Sequence, residues 1–515
     1  MRVASNYVRL ASTLVIGLIL TRILLCFGDD AFGLIALLGT GTGIALVFKT
    51  VVRTSTVPIL GEAFHSTRSG WFKQVLNAAL LCSSIAGFLT LGVFAGFALC
   101  LDFLTFPKEF YSAALIFVIA SGVHSFINVA ISPLINFYIV SERMVAYNLL
   151  LLAERVGDII AAITTFIVIG TGDASGAVML YGCMTATFYI VFNLIAAFLI
   201  IRADRKLEFN FRDISSEALL AYWQSVSWNA CVIVAINLYA RVDMFIMNAY
   251  FGLIGSTVFS LANQAVGYLR QLIFGLVSGM DAVAARMSKS EDRSAIVQLM
   301  SRFTRIQALI VFPAMTGLLF IGNFLIELWL RDRLLNPETT IPLINWIMRI
   351  LVVGVSARCL SECWMSIMNG SGNVKRYAIP ILTGGLLNPI LSIAAITYLP
   401  DSVRFAGAAF VFSTLMTIVH LIAVPKAVAN TINVSFSSVL QPIVKPLILT
   451  VASASIAYAS SFLGTSEFAF NSIFLIVFSC CFAVGAWVLI LDDTEREQLL
   501  KLLSRFSPLG TRRVF

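Results

Sequence analysis

The chain has 515 residues, of which 59% are apolar and 12% are charged, and its formal net charge is +8. Soluble domains carry about 25% charged residues, so this composition excludes an ordinary soluble protein. The basic surplus lies in loops on one side of the predicted membrane spans, which indicates a topology signal, and we expect no nucleic-acid partner.

Apolar stretches of about 20 residues, the length that a helix needs to cross a bilayer, follow one another along the chain. Arg22 interrupts the first stretch and no small-residue cleavage site follows it, which predicts an uncleaved first span. The sequence predicts an all-α polytopic membrane protein with about fourteen transmembrane helices, at 6–27, 31–52, 76–103, 110–140, 146–170, 175–201, 225–250, 256–285, 304–331, 341–369, 377–399, 405–428, 439–462 and 468–491.

Basic residues distinguish the two sides of this predicted protein. The loops on the side of both termini carry most of them, including Arg2, Arg9, Arg143, Arg205, Lys206 and Arg286. The opposite loops carry only Arg22, Lys108, Arg331, Arg333 and Arg404. The positive-inside rule therefore predicts that both termini are cytoplasmic.

The second half of the chain repeats the first. Tyr147 to Ala177 aligns with Tyr377 to Ala408, so that Asp158 matches Asn388, and Phe27-Gly28 matches Phe251-Gly252. Each repeat has six spans, which predicts two bundles related by a pseudo-two-fold axis along the membrane normal, as parallel repeats. The predicted units are a six-helix bundle at 1–201, a cytoplasmic linker with a short surface helix at 202–224, a second six-helix bundle at 225–428, two extra transmembrane helices at 439–491 and a cytoplasmic tail at 492–515.

Several basic residues fall inside or at the ends of predicted spans, where a charge usually faces a cavity, a partner or a substrate path. Arginine can hold phosphate oxygens through two hydrogen bonds at once, so these residues are candidate ligands of an anionic head group. They are Arg270, Arg241, Arg155, Arg349, Lys49, Arg53 and Arg358. The alternative is that they only pair with neighbouring acids, as the i, i+4 spacing of Arg358 and Glu362 allows.

Four acidic residues within the spans are candidates for ion coupling. Glu154 and Asp158 share one helix face at i, i+4, which is unfavourable unless one is protonated or a cation such as Arg155 lies nearby. Asp243 is two residues from Arg241 and therefore points to another face of the same helix. Glu362 is the fourth candidate, with a purely structural pair to Arg358 as the alternative.

No enzymatic motif occurs in the sequence. A G-x-x-x-x-G-K-[ST] loop, an HExxH motif and a nucleophile–base pattern are all absent, so we expect no catalytic residue, metal site or cofactor. His124 and His420 are isolated within spans and are interpreted as packed, hydrogen-bonded residues.

Segments of the chain resemble Wzx-type polysaccharide flippases. The similar segments are Thr21-Arg22, Phe27-Gly28, Phe32-Gly33, Arg241-Val-Asp243-Met-Phe-Ile, Phe251-Gly252, Val258-Phe-Ser260-Leu-Ala262-Asn, Arg286-Met-Ser288, Gly370-Ser-Gly372, Asn388-Pro389 and Gly407-Ala-Ala409. The resemblance spans nearly the whole chain and extends to the superfamily that includes lipid II flippases and multidrug exporters. Leu18-Ile19-Leu20 stands where the lipid II flippases carry a basic-acidic pair, which argues against lipid II as the substrate.

The resemblance implies a V-shaped pair of bundles around a central cavity. It also implies a secondary-type transporter, not an enzyme, that flips undecaprenyl-pyrophosphate-linked oligosaccharides across the bacterial inner membrane for surface polysaccharide export. The implied partners are this polyprenyl-pyrophosphate-linked oligosaccharide, membrane lipids, a polysaccharide polymerase and glycosyltransferases. The alternatives are a cation-coupled multidrug or small-molecule exporter of the same superfamily and a membrane-embedded glycosyltransferase or polymerase.

Overall fold

The computed structural model describes residues 2–68, 70–204, 207, 214–277, 280, 283–284, 287, 293–493, 495–497 and 500. These residues are predominantly helical, and no strand occurs among them. The helices are α1 (Arg2–Leu25), α2 (Asp29–His65), α3 (Trp71–Leu99), α4 (Tyr111–Ala130), α5 (Ser132–Val140), α6 (Met144–Ile169), α7 (Ala174–Ala203), α8 (Ser216–Val277), α9 (Arg293–Phe320), α10 (Gly322–Leu330), α11 (Pro337–Gly370), α12 (Val374–Tyr398), α13 (Asp401–Arg404), α14 (Gly407–Ile418), α15 (Val424–Ile432), α16 (Phe436–Ser461) and α17 (Glu467–Gly485).

The helices make fourteen passes, which confirms the predicted architecture. Ten helical segments within the described residues are long and apolar enough to cross a bilayer. One of them, in α8, supplies two passes, because Gly252 (φ 62°, ψ −154°) turns the chain in a conformation that is open almost only to glycine. The remaining three passes are α1, α2 and α6, which carry charged residues within their length.

The two halves repeat the same helix packing. In the first half, α1 and α7 both pack against α6, and α4 packs against α3 and α7. In the second half, the first pass of α8 and helix α14 both pack against α12, and α11 packs against α9 and α14. These corresponding pairs confirm two six-helix bundles in parallel repeat, with α16 and α17 as the additional pair.

The two bundles share one hydrophobic core, and the first bundle has a second core of its own at one end. We call the face at which α1 begins the near face and the face at which it ends the far face. Toward the far face, one hydrophobic cluster joins Leu38 of α2 to Met247 of α8. Toward the near face, the first bundle has a separate cluster that includes Leu60 and Phe137. At the near face, a described contact between the bundles runs through α1 and α8, where Leu10 lies directly against Gly275.

Close packing of α2 against α8 closes the far face. Gly33 lies against the backbone of Leu253, where a Cβ would come within 2.8 Å of the carbonyl oxygen. The Thr257 hydroxyl donates a hydrogen bond to the carbonyl of Asp29 at 2.9 Å. Small residues allow membrane helices to approach in this way, so α2 and α8 hold the bundles together at this end.

The additional pair is joined to the second bundle through α9. Phe320 of α9 stacks on Phe474 of α17 with ring centroids 5.1 Å apart, and Glu495 accepts a hydrogen bond from Arg305 of α9 at 2.7 Å. The parts of the predictions that lie outside the described residues are Arg205, Lys206, Arg286, Ser288, most of the linker helix and the tail from 501 onward.

Candidate functional site

Arg155 of α6 borders the space between the bundles. Its Nη1 donates to Oδ2 of Asp158 at 3.2 Å, and 51% of its side chain is accessible. Tyr268 of α8 lies within electrostatic range of the Arg155 guanidinium. Arg155 therefore extends from the first bundle toward the second.

The two acids of α6 are held by neutral donors from α7 as well as by Arg155. The Tyr189 hydroxyl donates to Asp158 at 3.1 Å, and Nδ2 of Asn193 donates to Glu154 at 2.7 Å. Both carboxylates are buried. Arg155 supplies the nearby cation that the i, i+4 spacing of like charges calls for.

The first bundle brings further basic side chains toward the near face. Nη1 of Arg53 donates to the Tyr147 hydroxyl at 3.2 Å. Lys49 lies within electrostatic range of the buried His124. Arg9 lies within electrostatic range of Arg53 and Arg155, although the sequence analysis assigned it to the loops. Its position inside the first predicted span was the signal that could have identified it.

Arg241 connects the second bundle to the first. Its Nε donates to Oδ1 of Asn237, one turn earlier on α8, at 2.9 Å. Its guanidinium lies directly over Gly43 of α2, in the volume that a Cβ at residue 43 would occupy. The absence of a side chain at Gly43 is therefore what allows Arg241 to occupy this position.

Arg270 lies near a second group of charges on α11. It is exposed to the space between the bundles, and Arg358, Glu362 and Arg241 lie within its electrostatic range. Arg358 and Glu362 are nearly buried and form the predicted i, i+4 pair at 3.3 Å. Arg349 is exposed on α11, and no contact within the described residues joins it to this group.

Basic residues exceed acidic partners in this region. Arg155 and Arg358 each have a carboxylate partner. Within the part of the chain that the structure describes, Lys49, Arg53, Arg241 and Arg270 form no ion pair. The space between the bundles is therefore lined by a net positive charge.

Asp243 forms a separate site inside the second bundle. It is fully buried, and its Oδ1 accepts hydrogen bonds from Nδ2 of Asn388 at 2.9 Å and from the Ser392 hydroxyl at 3.0 Å. Its Oδ2 has no hydrogen-bond partner among the described residues. Asn388, which aligns with Asp158 in the repeat, thus serves as a donor to an acid from another helix.

A group of polar contacts links the bundles at the far face. Arg22 of α1 donates to the carbonyl of Trp329 and to Asp332, both at 2.6 Å, and Nε1 of Trp329 donates to the carbonyl of Leu18 at 3.1 Å. Asp29 accepts a hydrogen bond from the backbone N–H of Leu335 at 3.2 Å. Because these bonds cross between the bundles, they must break if the far face opens.

We expect Asp332→Ala to open the far face more often, because Arg22 then loses its ionic partner across the bundles. Labelling of the native Cys26 thiol, next to this contact, with an impermeant maleimide should become several-fold faster, as mapped by peptide mass spectrometry. Glu338→Ala is the matched control, because its ion pair with Arg331 lies at the same surface but does not cross the bundles. Equal labelling rates in wild type and Asp332→Ala would contradict the role of this contact.

At the near face, the start of α8 stays with the first bundle. Arg68 donates to both Glu217 oxygens, at 2.7 and 2.8 Å, and lies 4.6 Å from the Trp71 ring centroid. These bonds hold the pKa of the Glu217 carboxyl below its usual value. Tyr222 bonds to Thr56 at 3.2 Å. Further along, α8 packs against α12, so this helix physically connects the two bundles.

Comparisons with known proteins reveal similarity of fold. No family model matches the chain, and no curated protein sequence matches it. A structure of the lipid II flippase MurJ in an inward closed conformation aligns with a TM-score of 0.69 and 14% identity, over 94% of this chain and 99% of that one. An inward-facing multidrug resistance MATE family transporter of the MOP superfamily aligns at 0.68 and 15% identity, over 85% and 99%. An outward-facing conformation of a multidrug resistance MATE family transporter of the MOP superfamily aligns at 0.61 and 15% identity, over 85% and 96%. The chain therefore has the fold of these MOP superfamily transporters.

Proposed function

We propose that this protein is a flippase that moves undecaprenyl-pyrophosphate-linked oligosaccharides across the bacterial inner membrane by alternating access. The observation that carries this proposal is the positive charge without carboxylate partners that both bundles bring to the space between them. A charge inside a membrane costs from about 3 kcal/mol upward unless a partner or water compensates it. An anionic head group in this space supplies that compensation.

A pyrophosphate suits the placement of these basic residues. Arg53 lies toward the near face, whereas Arg270 lies about 27 Å and Arg241 about 17 Å from the Gly252 turn at the far face by helical rise. A head group can therefore be transferred from one cation to the next. Guanidinium groups bind two phosphate oxygens at once, which favours pyrophosphate over an isolated carboxylate.

The loading side follows from the charge pattern of the loops. Most loop arginines and lysines lie on the near face, which assigns that face to the cytoplasm under the positive-inside rule. Lipid-linked substrate would therefore be taken up at the near face, from the cytoplasmic leaflet.

Asp243 is the residue that we assign to ion coupling. A buried carboxylate that has only neutral donors is unfavourable unless it is protonated or holds a cation. Asn388 and Ser392 are neutral, and no ion pair to Asp243 occurs in the described part of the chain. Uptake and release of a monovalent cation at Asp243 would therefore change the charge of the second bundle during each cycle.

The alternatives fit the same residues less well. A multidrug exporter shares the fold, but cationic drugs would meet like charges at Arg241 and Arg270. A membrane-embedded glycosyltransferase or polymerase needs catalytic groups in a large loop, whereas the far-face connections at 26–28 and 170–173 are only a few residues long. Flipping of an anionic lipid is the function that would give Lys49, Arg53, Arg241 and Arg270 an anionic partner.

We expect purified full-length protein in liposomes to translocate a fluorescent polyprenyl-pyrophosphate-linked oligosaccharide. Lipid that starts in the inner leaflet should become accessible to an impermeant lectin outside, many-fold faster than in protein-free vesicles. Ethidium loaded into the same vesicles should be retained. Ethidium efflux without movement of the labelled lipid would instead identify a multidrug exporter.

A further inference from the structure

A row of polar side chains continues from the Asp243 site along the second bundle. Tyr239 lies one turn from Asp243 on α8, and its hydroxyl lies directly against Gly384, one turn from Asn388 on α12. Val419 reaches the same place, since its Cγ2 would lie 2.9 Å from a Cβ at residue 384. The next residue after Val419 is His420, in a π-helical turn between α14 and α15.

The polar atoms of this row are buried and lack protein partners. Tyr239 is 1% exposed, and Asp243, Asn388 and His420 are fully buried. The Tyr239 hydroxyl, Asp243 Oδ2, Asn388 Oδ1 and His420 Nε2 make no hydrogen bond to any described group. Buried polar atoms are nearly always hydrogen-bonded, and where protein groups do not reach them ordered water is the usual partner. Each of these four atoms, on α8, α12 and the π-helical turn, can therefore hold an ordered water.

The other end of the row reaches the charges beside the space between the bundles, which we call the cavity from here on. His420 Nδ1 lies 2.6 Å from the Ser361 hydroxyl, which donates its proton to the carbonyl of Arg358 at 2.8 Å. When serine donates its one proton to that carbonyl, Nδ1 of His420 carries the hydrogen of the bond to Ser361 and Nε2 is the acceptor. The neighbouring pair of Arg358 and Glu362 lies within electrostatic range of Arg270, which borders the cavity.

We propose that Tyr239 and His420 form a proton path between Asp243 and the cavity end at Glu362, an inference that rests on the coupling role of Asp243. The O–H bond of protonated Asp243 breaks, and the proton passes through water and the Tyr239 hydroxyl to Nε2 of His420. As the Nε2–H bond forms, the Nδ1–H bond of His420 breaks and its proton passes to the Ser361 hydroxyl oxygen, which releases its own proton to water or to Glu362.

The test measures two quantities separately: the extent to which Asp243 is protonated at equilibrium, and the rate at which the proton reaches or leaves it. Full-length protein in lipid nanodiscs is given a rapid pH drop, and infrared difference spectroscopy follows the carboxyl C=O band that Asp243→Asn removes. Tyr239→Phe and His420→Gln should keep the amplitude of this band but slow its relaxation at least tenfold. Tyr250→Phe, on the same helix outside the path, and His124→Gln, a buried histidine of the first bundle, should relax like wild type.

Each outcome decides one part of the proposal. A missing Asp243-dependent band would overturn the coupling role itself. A band that relaxes at the wild-type rate in both path variants would overturn the path and leave the coupling role intact. A band that responds to sodium and not to pH would overturn the proton as the transported ion. If His420→Gln does not fold, as judged by its thermal transition, Tyr239→Phe decides, because it removes only the hydroxyl.

Discussion

Replacing Arg270 by alanine should weaken binding of a short-chain polyprenyl pyrophosphate by about tenfold to a hundredfold, because a hydrogen bond to a charged group contributes about 1.5–3 kcal/mol. Arg270 is exposed to the space between the bundles and has no ion-pair partner among the described residues. Arg270→Lys keeps the charge but loses the two-pronged hydrogen bonding, so it should recover only part of the affinity. Isothermal titration calorimetry on the purified protein measures both variants.

The control for this experiment is an arginine outside the cavity. Arg376 lies at the near face, where it donates to the Thr431 hydroxyl at 3.1 Å, and Arg376→Ala should bind the lipid pyrophosphate like wild type. The thermal stability of each variant is measured without ligand as well. Intact binding together with a collapse of ligand-free stability in Arg270→Ala would mean that Arg270 holds the helices together and does not contact the substrate.

The membrane architecture could be predicted because its signals are local. The length of each apolar stretch sets the number of passes, and the repeated residues around Asp158 and Asn388 indicate duplication. Even α6 was recognised, although Glu154, Arg155 and Asp158 lower its hydropathy. These features depend on single segments of the chain and not on how the segments meet.

The partners of the charged residues could not be predicted in the same way. The repeat aligns Asp158 with Asn388 and suggests equivalent roles, yet Asn388 donates to Asp243 of α8, whereas Asp158 pairs with Arg155 of its own helix. The repeat register of Phe27-Gly28 with Phe251-Gly252 places Ile19 opposite Asp243, so the first bundle has no acid at this position. Only the packing of α8 against α12 brings the Asp243 site together.

Neutral polar residues were missed for a related reason. Tyr189 and Asn193 hold the two acids of α6, and Asn237 orients Arg241. In a sequence, an isolated tyrosine or asparagine within a span cannot be distinguished from one that only packs. Gly43 is similar, because its role beneath the Arg241 guanidinium depends on the contact of α2 with α8. A search of the sequence for small residues opposite intramembrane arginines would first need to know that α2 packs against α8.

Asp243→Asn should abolish gradient-driven accumulation of the lipid-linked substrate while leaving the protein folded. Asparagine has the same shape and can still accept hydrogen bonds from Asn388 and Ser392, but it can neither release a proton nor balance a cation. Removal of a buried charge should leave ligand-free stability unchanged or higher. The measurement compares transport driven by an imposed proton or sodium gradient with downhill movement of the same lipid, which should persist in this variant.

Asp158→Asn is the matched variant in the other bundle, and its effect should differ. Asp158 is the ionic partner of Arg155, so its loss should lower ligand-free stability by about 2 kcal/mol, since a charged hydrogen bond is removed. Gradient-driven transport should fall only in proportion to the amount of folded protein. If Asp158→Asn instead abolishes gradient dependence at full stability, and Asp243→Asn retains it, the coupling ion binds in the first bundle, at Glu154 and Asp158. The pair of variants therefore locates the coupling site in one bundle or the other.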